Sequence, residues 1–262
     1  MPTRSKKSNR PAKNKLPPLK NQDKASSQIR ELQSANKKLQ DRVQDLNSFV
    51  YKAAHDLKGP LSSMSGLVGL AAEELKENSR AMDFISRIRD CNSKLDALLN
   101  DLLAVTHISH SRSAIRNVNI SSLFNDILKS LSNFPGREAV LVKSDMRMKK
   151  AFSGDVSALS GILQNLLQNS IAYRSSDRDS FVNVKIDGDG KQLIIEVSDN
   201  GKGIPAALQK KVFDMFFRAD ETSKGSGLGL YIVKLAVDKM RGALQLESNE
   251  GKGTTVTIRI PQ

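Results

Sequence analysis

One histidine in this chain stands in a chemically suggestive setting: His55-Asp56-Leu57-Lys58-Gly59-Pro60-Leu61. Imidazole is a partly neutral nucleophile near pH 7. A neighbouring carboxylate such as Asp56 can accept from one ring nitrogen, set the tautomer and leave the other nitrogen to attack phosphorus. Further along, Asn165 and Asn169 stand at i and i+4 of a helical run, which puts two amide oxygens on one face. Such neutral donors suit Mg2+ already shared with phosphates. Asp199 follows a strand and opens Asp199-Asn200-Gly201-Lys202-Gly203-Ile204-Pro205. A carboxylate there can accept from an exocyclic amino group such as that of adenine, and the glycines let the backbone come close to a flat base. Gly225-Ser226-Gly227-Leu228-Gly229-Leu230 opens a helix whose free N–H groups and positive end make a phosphate cradle. Gly251-Lys252-Gly253-Thr254-Thr255 precedes the last strand. Taken singly, each has an ordinary explanation, such as a solvated helix face or an Asn-Gly turn. The Gly-rich run lacks the Gly-Lys-Ser/Thr of a P-loop and the spacing of a dinucleotide fold.

These residues need elements to hold them. Ile29, Asn36, Val43, Val50 and Leu57 recur as heptad position a, with Leu32, Leu39, Leu46 and Ala53 at d. β-branched residues at a and Leu at d predict a parallel two-stranded coiled coil over 28–50, and Asn36 favours one register. His55 then falls at f, the outward position. The helix is expected to run on to about Lys76, bent at Pro60, which must release a backbone hydrogen bond. A second apolar-periodic stretch, with Phe84, Ile85, Ile88, Cys91, Leu95, Leu98, Leu99, Leu102 and Val105, returns after a polar turn at Glu77–Arg80. That makes an antiparallel helical hairpin over 45–112, and two hairpins bury their stripes as a dimeric four-helix bundle. Beyond Ile108, helices near 121–132, 155–172 and 227–241 alternate with strands near 139–143, 181–187, 192–198 and 254–260. This predicts an α/β domain over 117–262.

Composition narrows the functions. Of 262 residues, 39% are apolar, so most of the chain can bury a core. Trp is absent and aromatic residues make up only 5%, which gives no support to single-stranded nucleic-acid binding by stacking. The net charge of +13 is uneven: the first 24 residues hold eight Lys or Arg against one Asp, leaving about +6 for the rest. Residues 1–27 read as a basic disordered tail, with a contact to an acidic surface (nucleic acid or membrane) as its other reading. Cys91 is the only cysteine, which rules out an intrachain disulfide; its helical setting predicts a small buried hydrophobe. His107 and His110 lack clustered metal-ligand partners. No run approaches a membrane span and no apolar leader opens the chain, so a cytoplasmic protein is expected.

The motifs follow one another in a particular order: His-Asp-x-x-x-Pro-Leu, Asn-Leu-Leu-x-Asn, Asp-x-Gly-x-Gly-Ile, Phe213-Asp214-Met215-Phe216-Phe217-Arg218, Gly-x-Gly-Leu-Gly-Leu and Gly-x-Gly-Thr. Over about residues 45–262 the chain resembles the sensor histidine kinase family of two-component systems. That family joins a dimerisation and phosphoacceptor hairpin to a GHKL-type ATP-binding domain, a two-layer α/β sandwich. The His-Asp-Leu-Lys box is similar to that of phytochrome-like and hybrid kinases. The resemblance implies a soluble protein histidine kinase that uses ATP and Mg2+ to phosphorylate His55, then passes the phosphoryl group to an Asp of a response-regulator receiver domain. It implies that Asp56 activates His55, that Asn169 holds Mg2+ and that Asn165 supports it one turn earlier. Tyr173 would lie along the adenine, Asp199 would take its amino group, and Gly201, Gly203 and Ile204 would floor that pocket. Arg218 would reach the phosphates, 219–226 would form a mobile lid, and Ser226, Gly227, Leu228, Gly229 and Leu230 would meet the phosphates at the helix start. Thr254 or Thr255 would lie near the adenine. The work of such a site is positioning and charge neutralisation.

Two positions depart from the pattern. Where the family usually has Lys three residues after the magnesium Asn, this chain has Ala172; Arg174 is the candidate substitute, although it points another way on the helix. Where the family often has Thr or Asn four residues after the phosphoacceptor, this chain has Gly59, which implies weak phosphatase activity. With no sensory domain ahead of the coiled coil and no receiver after Gln262, input is expected from a separate sensory protein that grips residues 1–50, or through the tail. The alternative reading is an ATP-binding dimeric adaptor with little kinase turnover.

Overall fold

The computed structural model describes residues 19–110, 115–219 and 225–262, apart from some side chains of the first helix and that of His110. Residues 1–18, which hold most of the basic tail, and 220–224 of the expected lid lie outside them. Two compact units divide the chain, the first ending at Leu46 and the second running Asn47–Gln262. Helix α1, Leu19–Glu74, begins in the first. It starts nine residues before the expected Gln28: Leu19–Ser27 contains no Gly or Pro to break it. In this unit Ile29, Leu32, Leu39, Val43 and Leu46 are all more than half exposed, so the heptad stripe is uncovered within one chain.

The second unit opens with the rest of α1 and with α2, Ser79–His110, joined by a turn at 75–78. Pro60 sits inside α1, which remains one helix; the carbonyl of Asp56 is left without its usual i+4 donor. Ala54 and Leu61, seven residues apart, are buried against Leu99 and Leu103 of α2. Both belong to heptad position e. The a and d residues Leu57, Met64 and Leu67 stay exposed. On α2 the buried row is Ile85, Asn92 and Leu99, while Phe84, Ile88, Cys91 and Leu95 form a second, exposed row. Cys91 is therefore exposed rather than buried: the apolar face of α2 is wider than one hairpin partner can cover. Asn92 donates to the Leu61 carbonyl over 3.1 Å and to the Ser65 hydroxyl, locking the two helices in register.

The α/β domain contains β1 (Ile115–Val118), α3 (Ile120–Ser130), β2 (Val140–Met148), β3 (Phe152–Asp155), α4 (Val156–Ala172), β4 (Ser180–Gly188), β5 (Gln192–Asp199), α5 (Gly229–Lys239), β6 (Ala243–Asn249) and β7 (Gly253–Pro261). Five strands form one sheet in the order β2-β4-β5-β7-β6, parallel only between β2 and β4, and β1 pairs with β3 in an antiparallel ribbon. Alternate residues of the central strands (Val182, Val184, Ile186; Leu193, Ile195, Val197; Val256, Ile258, Ile260) are buried in one core with the helices. Asn119 caps α3 and Asp155 caps α4 through their side chains. Lys239, in the last turn of α5, reaches Asp155 at 3.6 Å, while the first residue of α5 faces Asn165 and Asn169; α4 and α5 thus run antiparallel. Burial pushes the Asp155 carboxyl up, but hydrogen bonds from Ser157 and Ala158 and the charge of Lys239 hold it below its ordinary value.

The last part of α2 belongs to this core. Val105 and Ile108 are buried in it, and Gly161 of α4 faces both Ile108 and Ile232 of α5. No described helix is long and apolar enough to cross a membrane.

Candidate functional site

Two backbone features shape the start of α5. Gly227 has φ +77°, and a Cβ there would meet the backbone of Phe216 at 2.7 Å, so glycine is needed to pass that point. Leu228 is fully buried and anchors the turn. No side chain caps the helix at Leu228, although the Leu228 N–H itself donates to the Ser226 hydroxyl at 3.1 Å. A Cβ on Gly229 would lie 3.0 Å from Asn165 Oδ1 and 3.5 Å from both terminal amide atoms of Asn169. Asn165 donates its Nδ2 to the Gly161 carbonyl at 2.8 Å, which turns its Oδ1 toward Gly229. The two asparagines and the Gly-rich turn, more than fifty residues apart in the chain, therefore meet at one cradle of amide oxygens and helix-start N–H groups.

Asp199 occupies the adjoining end of β5. Its Oδ1 accepts from the N–H groups of Gly201 (2.9 Å) and Thr254 (3.2 Å), and its Oδ2 accepts from the Ser170 hydroxyl at 3.0 Å. Burial pushes this carboxyl above its ordinary value; the three hydrogen bonds oppose the rise. A Cβ on Gly201 would strike the Tyr173 carbonyl at 2.5 Å, and that same carbonyl accepts from the Lys202 N–H. Tyr173 is thus stitched by its backbone to the Gly201 loop. Gly203, with φ +68°, passes so close to the Asn249 carbonyl that no side chain fits. Ile204 donates its N–H to Ser248, whose hydroxyl pairs with that of Thr254. Strand register sets Thr254 opposite Asp199 and Thr255 opposite Ser198, and the Thr255 hydroxyl donates to Ser198. Of the two threonines, Thr254 is the one bonded to Asp199. Ser170 and Ser248 escape sequence reasoning because their partners lie 29 and 44 residues away.

Arg174 is not brought to this cluster. Its guanidinium lies against Gly136 in the turn before β2 and donates to the Ile171 carbonyl at 3.2 Å. Arg218 is exposed at the edge of the described residues, just after Phe216, a non-glycine residue with φ +62°.

His55 belongs to a separate cluster on α1. Its side chain is 70% exposed, and Nδ1 lies 3.5 Å from Asp56 Oδ1, the outer limit of a hydrogen bond. A shallow groove beside it is lined by His55, Asp56, Lys58, Gly59 and Ser62. Lys58 Nζ donates to Asn100 Oδ1 of α2 at 3.1 Å, and Asn100 in turn donates to Asp96. A Cβ on Gly59 would meet nothing within 4 Å. One hydrogen bond unforeseen in the sequence ties the hairpin to the Gly-rich turn: Ser226 Oγ donates to Asp101 Oδ2 of α2 at 2.5 Å. Burial pushes the Asp101 carboxyl up, and this hydroxyl opposes the rise.

Comparison with known proteins matches both halves of the chain. The family described as the His Kinase A (phospho-acceptor) domain covers residues 45–111, and that described as the histidine kinase-, DNA gyrase B- and HSP90-like ATPase covers 154–262. The circadian input-output histidine kinase CikA of Synechococcus elongatus is 30% identical over 82% of this chain and 30% of its own length. For the methanogenesis regulatory histidine kinase FilI of Methanothrix harundinacea the identity is 28%, over 88% of this chain and 26% of its own. The sensor protein kinase WalK of Staphylococcus aureus is 29% identical over 81% and 53% respectively. The chain therefore spans about a quarter to a half of the curated relatives it matches. Full-length ShkA in complex with AMPPNP superposes on 82% of this chain and 45% of its own, with a TM-score of 0.66 and 21% identity, a likeness of fold.

Proposed function

Because this chain belongs to the sensor histidine kinase family, we propose that it transfers the γ-phosphoryl group of ATP to His55 and from there to an aspartate of a response-regulator receiver domain. The observation that carries this reading is the cradle at Gly229, where Asn165, Asn169 and the start of α5 meet, beside a half-buried Asp199. Asp199, as a carboxylate held by three donors, accepts from the adenine amino group; the Gly201–Ile204 loop lies along the base. The α5 N–H groups receive the phosphates. Mg2+ fits the same place: two neutral amide oxygens suit a metal already shared with phosphates, and the described residues contain no cluster of three His, Cys, Asp or Glu that would bind a metal alone. The metal would neutralise phosphate charge. In the transfer, a lone pair of the outer His55 ring nitrogen attacks the γ-phosphorus and the bridging oxygen leaves with ADP. The proton on Nδ1 passes toward Asp56, whose 3.5 Å separation tightens as the ring gains positive charge.

The uncovered a and d rows on α1, with the exposed row on α2, support a homodimer through coiled coil and four-helix bundle. The groove at His55, lined also by Gly59, is where the receiver would dock. A separate sensory protein would act on the first unit, and the basic tail at the start of that unit would meet an acidic surface. The adaptor reading gains from one observation: with Ala172 in place of Lys and Arg174 held at Gly136, the end of α4 brings no cation to the phosphates, which favours slow turnover.

Incubation with γ-labelled ATP tests the proposal. Acid-labile, base-stable label that is absent from His55→Ala and passes to a receiver domain is the expected result. Label that persists in His55→Ala, or none in the native protein, would overturn it.

A further inference from the structure

We propose that Asp101 of α2 is a positioning residue for nucleotide loading, holding the phosphate cradle in a self-occupied state that an incoming nucleotide must displace. The inference rests on the kinase reading of the cradle. Three groups in a row carry it. Ser226 Oγ donates to Asp101 Oδ2 at 2.5 Å and accepts from the Leu228 N–H at 3.1 Å. A hydroxyl has a single proton, so once Asp101 takes it, the oxygen can only accept on its other side. Asp101 thereby aims a lone pair of Ser226 at Leu228 N–H, one of the groups at the start of α5 that would meet a phosphate oxygen. Ser226 Oγ is an internal stand-in for that oxygen.

Asp101 cannot follow Ser226 away. One turn further along α2, Val105 is buried in the core of the α/β domain, and so is Ile108, which packs with α4 and α5. The contact joins residues 125 apart, and hydrogen bonds to a charged acceptor are the stronger kind. A nucleotide phosphate reaching Leu228 must break the Ser226–Leu228 bond. It must also bring negative charge to within two hydrogen bonds of a carboxylate. Both effects oppose loading. By reciprocity, whatever separates Asp101 from Ser226 tightens nucleotide binding, and nucleotide binding loosens the Gly-rich turn from the hairpin. The helix that faces the phosphoacceptor box through Asn100 and Lys58 thus reaches the nucleotide site through its next residue.

The test uses the full chain, Mg2+ and a non-hydrolysable ATP analogue, with affinity measured for native protein, Asp101→Ala, Asp101→Asn, Ser226→Ala and the double variant. Asp101→Ala should bind roughly 3- to 10-fold more tightly, within the usual range of coupling between sites. Asp101→Asn keeps shape and acceptor without the charge, should fall between, and carries the measurement if the alanine variant unfolds. In a Ser226→Ala background the Asp101 substitution should lose its effect, which a general loosening of α2 would not do. In nucleotide-free protein, amide hydrogen exchange at 226–230 should speed up in Asp101→Ala. Unchanged or weaker nucleotide binding by both Asp101 variants, with the melting temperature retained, would overturn the proposal. Native protein that binds no nucleotide overturns the kinase reading, a distinct result from native protein that binds normally and variants that match it.

Discussion

The Ser170 hydroxyl takes one oxygen of Asp199 at 3.0 Å, while both backbone donors, Gly201 and Thr254, gather on the other. These bonds work against burial in setting the pH response of Asp199. Burial raises its pKa above 3.8 and the hydrogen bonds resist. An amino group needs an ionised acceptor, so ATP-analogue affinity should fall as pH drops through the raised value. Ser170→Ala removes one of the resisting bonds and should move that loss to higher pH; affinity against pH for the two proteins checks it. Folding responds in the opposite sense. The native state keeps this proton to higher pH than the unfolded chain, so the stability Asp199 contributes is complete below 3.8 and declines as pH rises through the raised value.

Gly229→Ala should weaken nucleotide binding about tenfold, equivalent to about 1.4 kcal/mol, because the new methyl group sits 3.0 Å from Asn165 Oδ1 inside the cradle. Gly225→Ala, three residues from the same turn's core, meets nothing within 4 Å and should bind normally. Parallel titrations of the two variants separate crowding at the cradle from a general effect of replacing glycine.

Gly59 is in a helix and has open space around it. Gly59→Ala should therefore raise stability by about 0.5–1 kcal/mol in thermal or denaturant melts. Gly59→Thr places a hydroxyl four residues after His55 and should shorten the lifetime of a phosphorylated receiver domain mixed with the protein. Marked shortening by the native chain, without return of phosphate to His55, would refute its expected weakness as a phosphatase.

Insertions of one, two or three residues beside Asn36 should change autophosphorylation in a phase-dependent way, because each rotates the exposed a and d row by a different angle. Equal rates from all three, measured with labelled ATP, would count against input through this helix.

The elements legible in the sequence were those whose burial is periodic. Val182-Val184-Ile186 and Leu193-Ile195-Val197 announce β4 and β5. β1 and β3 are four residues long, too short for a period to show. β6 is an edge strand whose residues alternate between exposed and half-buried, with Ala243 on an exposed position and Ser248 on a half-buried one weakening the pattern. The reading of Cys91 failed because a helix with two apolar rows does not say which of them a neighbour in the same chain covers. In the candidate site, Asn165, Asn169, Asp199 and Gly229 stand out in the sequence because each is a residue type with a demand on its position. Ser170, Ser248 and Asp101 carry no such mark; only the fold sets them beside their partners.

The pairing of Lys239 with Asp155 gives α4 and α5 the geometry of a pair of tongs. The grip, at Asn165, Asn169 and Gly229, is at one end; the rivet is at the other, about 15 Å along α5 at 1.5 Å per residue. A small rotation about that rivet moves the grip most and the sheet beneath it least. Changes at Lys239, ten residues along α5 from Gly229, can therefore alter how wide the jaws stand, and substitutions at this far end of the helix pair are a place to tune nucleotide exchange without altering any group that would meet the nucleotide.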